Sequence, residues 1–275
     1  MGQVLFIVWR ESVEAMLVIG ILHAWLSHNA ADSGGKRWLW GGVALGLALA
    51  ALLAFGLFAA AELLGPHQDA FQAGMVFVAA ALIVHMVLWM REHGRTLKKD
   101  LESGMAARAA RNNWWGVLVL VAIAVAREGS EAVVFLYGML ASAEGAELGW
   151  MAGGGVIGFV LALLTFWLLQ LGGRYLSWRL FFRVTEIMLL LLAAALFISG
   201  VDKLQSMELL PTLVDRLWDS SALVDDMSPA GGVLAALTGY RAQPSLTSLL
   251  AYAGYWAGIL LLLRWRNPRP QRLAA

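Results

Sequence analysis

The sequence contains no cysteine, so disulfides, thiolate metal sites and iron–sulfur clusters are excluded. Charged residues are also scarce: they make up 14% of the 275 residues, compared with about 25% in ordinary soluble domains. The 20 Lys and Arg and the 19 Asp and Glu nearly cancel, so net charge gives no indication of nucleic-acid binding. The sequence also lacks the nucleotide-binding motif G-x-x-x-x-G-K-[ST], so we do not expect the chain itself to hydrolyse ATP.

Hydrophobic residues are abundant instead, at 60% of the chain. A helix needs about 20 mostly apolar residues to cross a hydrocarbon core about 30 Å thick, whereas a membrane strand needs only about 10 residues of alternating polarity. Seven stretches have the helical length: 4–26, 41–63, 70–90, 114–141, 149–171, 182–201 and 245–263. We therefore predict an all-α integral membrane protein, with seven transmembrane helices in a single domain over residues 1–275.

The distribution of basic residues predicts the orientation, because Lys and Arg are retained on the cytoplasmic side of a membrane. Fifteen of the 20 follow helices one, three, five and seven, and three follow helices two, four and six. The N-terminus is therefore predicted outside and the C-terminus inside. A cleaved signal peptide is not expected, since residues 1–6 contain no basic residue and charges interrupt the apolar stretch behind them.

A short motif occurs twice, as Arg-Glu-Ser-Val-Glu-Ala at 10–15 and as Arg-Glu-Gly-Ser-Glu-Ala at 127–132. Helices one and four, which carry the copies, are predicted to run in opposite directions. Helices one to three and four to six thus resemble the inverted repeats of secondary transporters, and helix seven is an addition. The predicted segments are a first repeat (1–90), a basic cytoplasmic loop (91–113), a second repeat (114–203), an acidic external loop (204–244), and the seventh helix with a basic cytoplasmic tail (245–275).

Each copy of the motif holds two glutamates that share one helix face, Glu11 with Glu14 and Glu128 with Glu131. A rise of about 1.5 Å per residue puts both pairs in the outer half of the membrane, where we expect them to converge. Four like charges repel strongly at low dielectric. The cluster therefore predicts a multivalent cation, or protons in its place.

Arg10 and Arg127 are each followed directly by a glutamate, and neighbouring residues in a helix do not share a face. We therefore expect both arginines to bond carboxylates or carbonyls of other helices. Gly129, inside the second motif, leaves room for an ion or for a neighbouring helix. A salt-bridge network that only fixes helix packing is the structural alternative, although packing alone does not require four acids against two bases.

A site of carboxylate oxygens suits hard or borderline cations such as iron, manganese, magnesium and calcium. The chemistry alone leaves this choice open. Arg-Glu-x-x-Glu in the first and fourth of seven helices, however, resembles the signature of the oxidase-dependent iron transporters, which include fungal high-affinity iron permeases and bacterial permeases of the EfeU type. Further similarities are Met86 to Met90 at the end of helix three, the basic loop from Arg91, and Gly239-Tyr240 with Pro244-Ser245 before helix seven.

The resemblance implies iron import across the inner membrane of a bacterium, with iron as the transported substrate and no permanently bound cofactor. It implies that Glu11, Glu14, Glu128 and Glu131 bind iron, with Arg10 and Arg127 in support. It also implies external partner proteins that bind or oxidise iron. The same family contains lead-uptake members.

Four other residues are candidates for an auxiliary site or an exit path. Glu62 and Asp69 lie at the turn between helices two and three, where Gln72 replaces one acid of the related bacterial sequences. His85 and Glu186 fall in the inner half of the predicted membrane, where either could receive the ion. For Glu186, an ion pair with Arg183 or Arg179 is the simpler expectation.

The acidic loop 204–244 allows two interpretations: an interfacial segment with a solvated acidic face, or a surface that gathers cations or docks a partner. Other functions also stay open at this point. One is a permease for another divalent cation, such as lead or manganese. Another is an intramembrane carboxylate di-iron oxidase, although those proteins use Glu-x-x-His where this chain has Glu14 and Glu131. A purely structural membrane subunit is the third.

Overall fold

The computed structural model describes residues 2–29, 34–93, 96–140, 146–170, 178–226 and 228–266. Every regular element in these ranges is helical, which confirms the all-α prediction. The helices are α1 (Gly2–Asn29), α2 (Gly35–Leu64), α3 (Gln68–His93), α4 (Leu97–Ala110), α5 (Trp114–Leu140), α6 (Ala146–Gln170), α7 (Trp178–Ser206), α8 (Pro229–Thr238) and α9 (Leu246–Arg266), with a 3₁₀ turn at Gly65–His67.

Each predicted span corresponds to one long helix: α1, α2, α3, α5, α6, α7 and α9 in chain order. In the described part of the chain, α2, α3, α6, α7 and α9 are long and apolar enough to cross a membrane. α1 and α5 have similar lengths, 28 and 27 residues, but each carries the three charged residues of the motif. The chain is therefore a multi-pass membrane protein. Residues 141 and 171 of the predicted spans lie outside the described residues, as do residues 1, 30–33, 94–95, 142–145, 172–177, 227 and 267–275 of the other predicted segments.

The segment 91–113, predicted as a basic loop, contains the helix α4. Leu101 and Met105 lie one turn apart on this helix, and Met105 is fully buried. Both pack in the core that contains Leu22 and Leu26 of α1. Apolar residues spaced by one turn therefore hold α4 against the C-terminal half of α1, and a search for 20-residue spans misses a helix of 14 residues.

The segment 204–244, predicted as an external loop, folds onto the end of α7 and contains α8. The Ser228 hydroxyl accepts a hydrogen bond at the N-terminus of α8, and Gly239 ends the helix with φ 76°. The backbone N–H of Leu217 donates a hydrogen bond of 3.1 Å to the Pro244 carbonyl, which ties the first half of the segment to its C-terminal end. The segment is therefore a folded cap with its own hydrogen bonds.

The long helices pack in three principal pairs: α2 along α5, α1 along α6, and α3 along α7. α1 and α5, the two motif helices, also contact each other, and α3 contacts α5. α9 packs against α7, where the Tyr255 hydroxyl donates a hydrogen bond of 2.8 Å to the Leu190 carbonyl. The motif helices consequently lie at the centre of the bundle, each covered on the outside by a helix of the other predicted repeat.

Glycines allow a close approach between the paired helices, as Gly46 and Gly158 illustrate. A methyl group on Gly46 of α2 would lie 2.9 Å from the carbonyl oxygen of Ala122, and one on Gly158 of α6 would lie 2.5 Å from that of Leu5. Both contacts are too short for any side chain, so α2 and α6 each touch the backbone of a motif helix. Leu5 and Ala122 are separated by 117 positions, which is also the spacing of the two motif copies.

Candidate metal centre

Three of the four motif glutamates meet where α1 and α5 cross. One carboxylate oxygen from each of Glu11, Glu128 and Glu131 lies within 4.8 Å of the other two. Glu11 and Glu128 are buried, with 4% and 6% exposure, and Glu131 is partly buried. Helical periodicity puts Glu128 and Glu131 on one face of α5, and the packing of α1 against α5 brings Glu11 to them. The expected convergence of the two copies is thus present for these three residues.

The three carboxylates have spare acceptor capacity. In each of Glu11, Glu128 and Glu131, the oxygen Oε2 is buried and has no hydrogen-bond partner. Buried polar atoms are normally paired, and an unpaired carboxylate oxygen away from water is especially costly. Three such oxygens in one cluster can be satisfied together by a cation that accepts oxygen ligands.

The α1 copy of the motif forms a closed ion-pair unit. Arg10, which is 1% exposed, contacts Glu11 Oε1 through Nη1 at 2.6 Å and Glu14 through Nη2. Its other neighbours are the thioether sulfurs of Met86, at 2.9 Å, and Met90, at 3.4 Å. Glu14 is engaged by Arg10, as Glu11 is, and it lies beside the three carboxylates without being within 4.8 Å of all of them. The expectation that Arg10 bonds a carboxylate of another helix was wrong. Its long side chain lies along α1 and reaches the carboxylates at positions i+1 and i+4, Glu11 and Glu14.

The α5 copy is more open. Arg127 is 37% exposed and donates from Nε to Glu131 Oε1 at 3.2 Å, with Glu128 Oε1 farther away at 3.8 Å. This arginine also pairs within its own helix, so the same expectation was wrong for it. Its guanidinium carbon lies 4.2 Å from the centre of the Trp89 ring, which belongs to α3. Arg127 thus shares its charge between one carboxylate of the cluster and an aromatic face.

Gly129 explains how a third helix reaches this part of the site. A methyl group on Gly129 would lie 2.7 Å from the Cβ atom of Ala50, which belongs to α2. Of the two uses that the sequence suggests for this glycine, the structure therefore has the close approach of a neighbouring helix.

α3 is shifted along the bundle axis relative to α1. Arg10 lies in the third turn of α1, yet it contacts Met86 and Met90 in the last two turns of α3. Past Glu11, α1 continues for about five turns, whereas α3 ends at His93. The carboxylates therefore lie near the C-terminal end of α3. Counting residues from the ends of the predicted spans gives a different result, since it places the carboxylates in the outer half of the membrane and Met90 at the inner boundary. The two counts disagree because the helices are staggered.

The structure does not bring the other candidate residues to the cluster. Glu62, Asp69 and His85 are exposed. Glu186 forms an ion pair with Arg91 of α3, with its Oε1 accepting from Nε at 2.5 Å. Glu186 thus forms an ion pair, as the sequence predicts, but its partner belongs to α3 and not to the preceding turns of α7.

The N-terminal end of α3 and the C-terminal end of α7 are also joined by a polar contact. Lys203 of α7 donates a hydrogen bond of 2.5 Å to the side-chain oxygen of Gln72 in α3. Gln72 is buried, with 5% exposure, although Asp69 one turn earlier is exposed. The Gln72 side chain therefore holds two helices together.

Several acids of the external segment serve as acceptors within that segment. Asp219 accepts hydrogen bonds from the hydroxyl and the backbone N–H of Ser221, at 2.6 and 2.9 Å, and from the Gln243 side chain at 2.9 Å. The bonds from Ser221 hold the pKa of the Asp219 carboxyl below its ordinary value. Asp226 accepts from the backbone N–H of Ala242. These carboxylates stabilise the folded cap.

Sequence reasoning missed the α3 residues that border the site. Met86, Trp89 and Met90 contact the two arginines, and they lie in the Met-Val-Leu-Trp-Met stretch that carries part of the family resemblance. The spacing of Met86 and Met90, one helical turn, indicates that they share a face. Which side chain they would face cannot be deduced from one sequence, because that depends on the stagger of α3.

Fold and site together define a helical membrane protein with a buried carboxylate cluster. Comparison with known proteins gives a more specific result, since the model of the iron permease FTR1 family matches residues 1–266. The ferrous iron permease EfeU of Escherichia coli O6:H1 is 28% identical over 257 residues, which cover 90% of each chain. The protein of that name from Yersinia pestis is 28% identical over 263 residues, covering 93% of this chain and 90% of its own. No solved structure matches. The chain belongs to the iron permease FTR1 family.

Proposed function

We propose that this chain imports iron across the membrane and that Glu11, Glu128 and Glu131 bind the ion on its way through. The observation that carries the assignment of the site is the group of three carboxylates between α1 and α5, each of which has a buried oxygen without a hydrogen-bond partner. Membership of an iron permease family makes iron the transported substrate. Glu14 then acts indirectly, as the carboxylate that holds Arg10 in position.

The charge of the cluster fits a divalent ion. The two motifs contribute four glutamates and two arginines, so their formal charge is −2 when all six groups are ionised. A divalent cation brings this charge to zero, and low dielectric makes such neutrality valuable. Ferrous iron meets this condition, and so do the lead and manganese of the alternative permeases. The chemistry of the site therefore supports a divalent substrate, and the family supports iron.

We further propose that all seven long helices cross the membrane, with the N-terminus outside and the C-terminus inside. Helices α1 to α3 and α5 to α7 would then form the inverted repeat, with α9 as the additional seventh span. The pairing of helices between the two repeats supports this arrangement. α6 of the second repeat packs along α1 of the first, and α2 of the first repeat packs along α5 of the second. The contacts of Gly158 with Leu5 and of Gly46 with Ala122 are similar in kind: Leu5 and Ala122 are 117 positions apart, and the two glycines are 112 positions apart. A substrate site between inverted halves is typical of secondary transporters.

The inner membrane of a bacterium is the proposed location, in keeping with the bacterial sources of the relatives. External proteins that bind or oxidise iron are proposed as partners, because the described residues outside the long helices form only α4, α8 and short connections. The cap that contains α8 is the surface of this chain at which such a partner would first arrive.

Transport by the purified protein tests the proposal. Uptake of radioactive iron into liposomes, offered as Fe(II) and as Fe(III), is compared between the unchanged chain and the double variant Glu11→Gln with Glu128→Gln. We expect uptake that prefers Fe(II) and disappears in the double variant. Glu208→Gln, an exposed acid of the cap, is the matched control and keeps its uptake.

Equal uptake by the double variant would refute the site, and folded protein that takes up neither form of iron would refute transport by this chain alone. Competition with Mn(II) and Pb(II) separates the iron permease from the alternative permeases. Consumption of oxygen in step with Fe(II) oxidation, without uptake, would instead support the oxidase.

A further inference from the structure

We propose that Arg127 is a displaceable counter-ion, which releases Glu131 to the incoming cation, and that the Trp89 ring holds the released guanidinium beside the site. Trp89 is then a positioning residue for substrate binding, although it belongs to neither motif. The inference rests on the proposed function, because it assumes that the three-carboxylate group binds a cation.

Arg127 and the cation need the same carboxylate. Glu131 is a member of the three-carboxylate group, and its Oε1 accepts the hydrogen bond from Arg127 Nε. A divalent ion bound to Glu131 repels a guanidinium on the same carboxyl group, and this repulsion is strong where water is largely excluded. Binding of the ion and the present position of Arg127 therefore oppose each other.

The surroundings of Arg127 allow it to move. Its side chain is 37% exposed and holds Glu131 by one hydrogen bond, of 3.2 Å. Arg10 differs on both counts, since it is 1% exposed and pairs closely with both glutamates of its motif, whereas Glu128 lies 3.8 Å from Arg127. A partly exposed guanidinium has room to change its position when it is released, whereas a buried one has no comparable alternative. Of the two motif arginines, Arg127 is thus the one suited to exchange.

The Trp89 ring supplies the position to which Arg127 can retreat. The guanidinium carbon already lies 4.2 Å from the ring centre, within the range of a cation–π interaction, and Trp offers the most favourable aromatic face for one. This contact uses the face of the guanidinium and leaves its N–H groups free to exchange partners. Arg127 can therefore lose its bond to Glu131 and keep its contact with Trp89. Without the ring, the guanidinium would depend more on Glu131 and compete more strongly with the cation.

A double-mutant cycle on the full chain in lipid nanodiscs tests the inference, with equilibrium binding of Mn(II), an air-stable divalent probe, as the readout. We expect Arg127→Gln to bind Mn(II) several-fold more tightly, because the competing cation is gone. Trp89→Leu should bind it several-fold more weakly. In the Arg127→Gln background, Trp89→Leu should have no further effect. Trp167→Leu, which removes an exposed tryptophan of α6, is the matched control.

Two results would overturn the inference: an equal effect of Trp89→Leu in both backgrounds, which marks a purely structural role, or unchanged affinity in Arg127→Gln. Should Trp89→Leu fail to fold, Trp89→Phe keeps an aromatic face and is expected to weaken binding less, again only when Arg127 is present. Loss of the proposed function itself gives a different result, because Glu128→Gln would then bind Mn(II) as tightly as the unchanged chain.

Discussion

The two copies of Arg-Glu-x-x-Glu-Ala have the same pattern but different surroundings. In the α1 copy the arginine is buried and pairs closely with both glutamates of its own motif. In the α5 copy the arginine is partly exposed and contacts the ring of a tryptophan. α3 adds to the difference, because it presents two thioethers to Arg10 and an aromatic ring to Arg127. An internal repeat in sequence therefore does not imply equivalent roles. In the proposed site, the α1 copy contributes one ligand and a fixed counter-charge, and the α5 copy contributes two ligands and an exchangeable counter-charge.

Substitution of the two arginines should give the largest difference in stability between the two copies of the motif. Arg10→Gln leaves Glu11 and Glu14 without their buried counter-ion, and breaking such a pair costs about 3–5 kcal/mol of stability. Arg127→Gln removes a partly exposed partner and should cost about 1 kcal/mol or less. Thermal unfolding of both variants in the same detergent measures the difference. Equal losses of stability would contradict the distinction between a fixed and an exchangeable arginine.

The second glutamates of the motifs should also differ. Glu131→Gln removes a proposed ligand, and we expect iron uptake to fall by more than about 100-fold. Glu14→Gln removes only the carboxylate that orients Arg10, for which losses of about 10-fold are typical of residues that support ligands. Initial rates of iron uptake into liposomes, corrected for the amount of folded protein, provide the comparison. If Glu14→Gln is as inactive as Glu131→Gln, the two copies act symmetrically.

The glycine contacts of α2 and α6 with the motif helices should respond alike to substitution, although the two motifs differ. Gly46→Ala and Gly158→Ala each force a methyl group against the backbone of a motif helix, and overpacking of this kind costs about 1–3 kcal/mol. Gly153 of α6 has open space around it, so Gly153→Ala is the control and should be neutral or slightly stabilising. Unfolding measurements that show similar losses for Gly46→Ala and Gly158→Ala would support the inverted repeat. A loss in only one of them would show that the scaffold is as asymmetric as the site.

The part of this molecule that sequence can predict is the part governed by local pattern. Apolar length predicts the seven long helices, and helical periodicity predicts that Glu128 and Glu131 point the same way. The pairing of Glu14 with Arg10 was not predicted, because it depends on the bend of one long side chain. The contact of Trp89 with Arg127 was not predicted either, since it follows from the axial shift of α3. Local rules fix which residues share a face, and packing decides what that face meets.

The smallest expected effect concerns the two ends of the α3 and α7 pair. Glu186 and Arg91 are 22% and 39% exposed, and ion pairs with that much exposure contribute about 0–1 kcal/mol. If the Glu186 carboxylate acts only as the ion-pair partner of Arg91, Glu186→Gln should change the free energy of unfolding little and leave iron uptake intact. Uptake that falls sharply at unchanged stability would instead make Glu186 a stop on the exit path. Gln72→Leu, at the outer end, separates these cases further, because it breaks the contact with Lys203 at a distance from any inner exit.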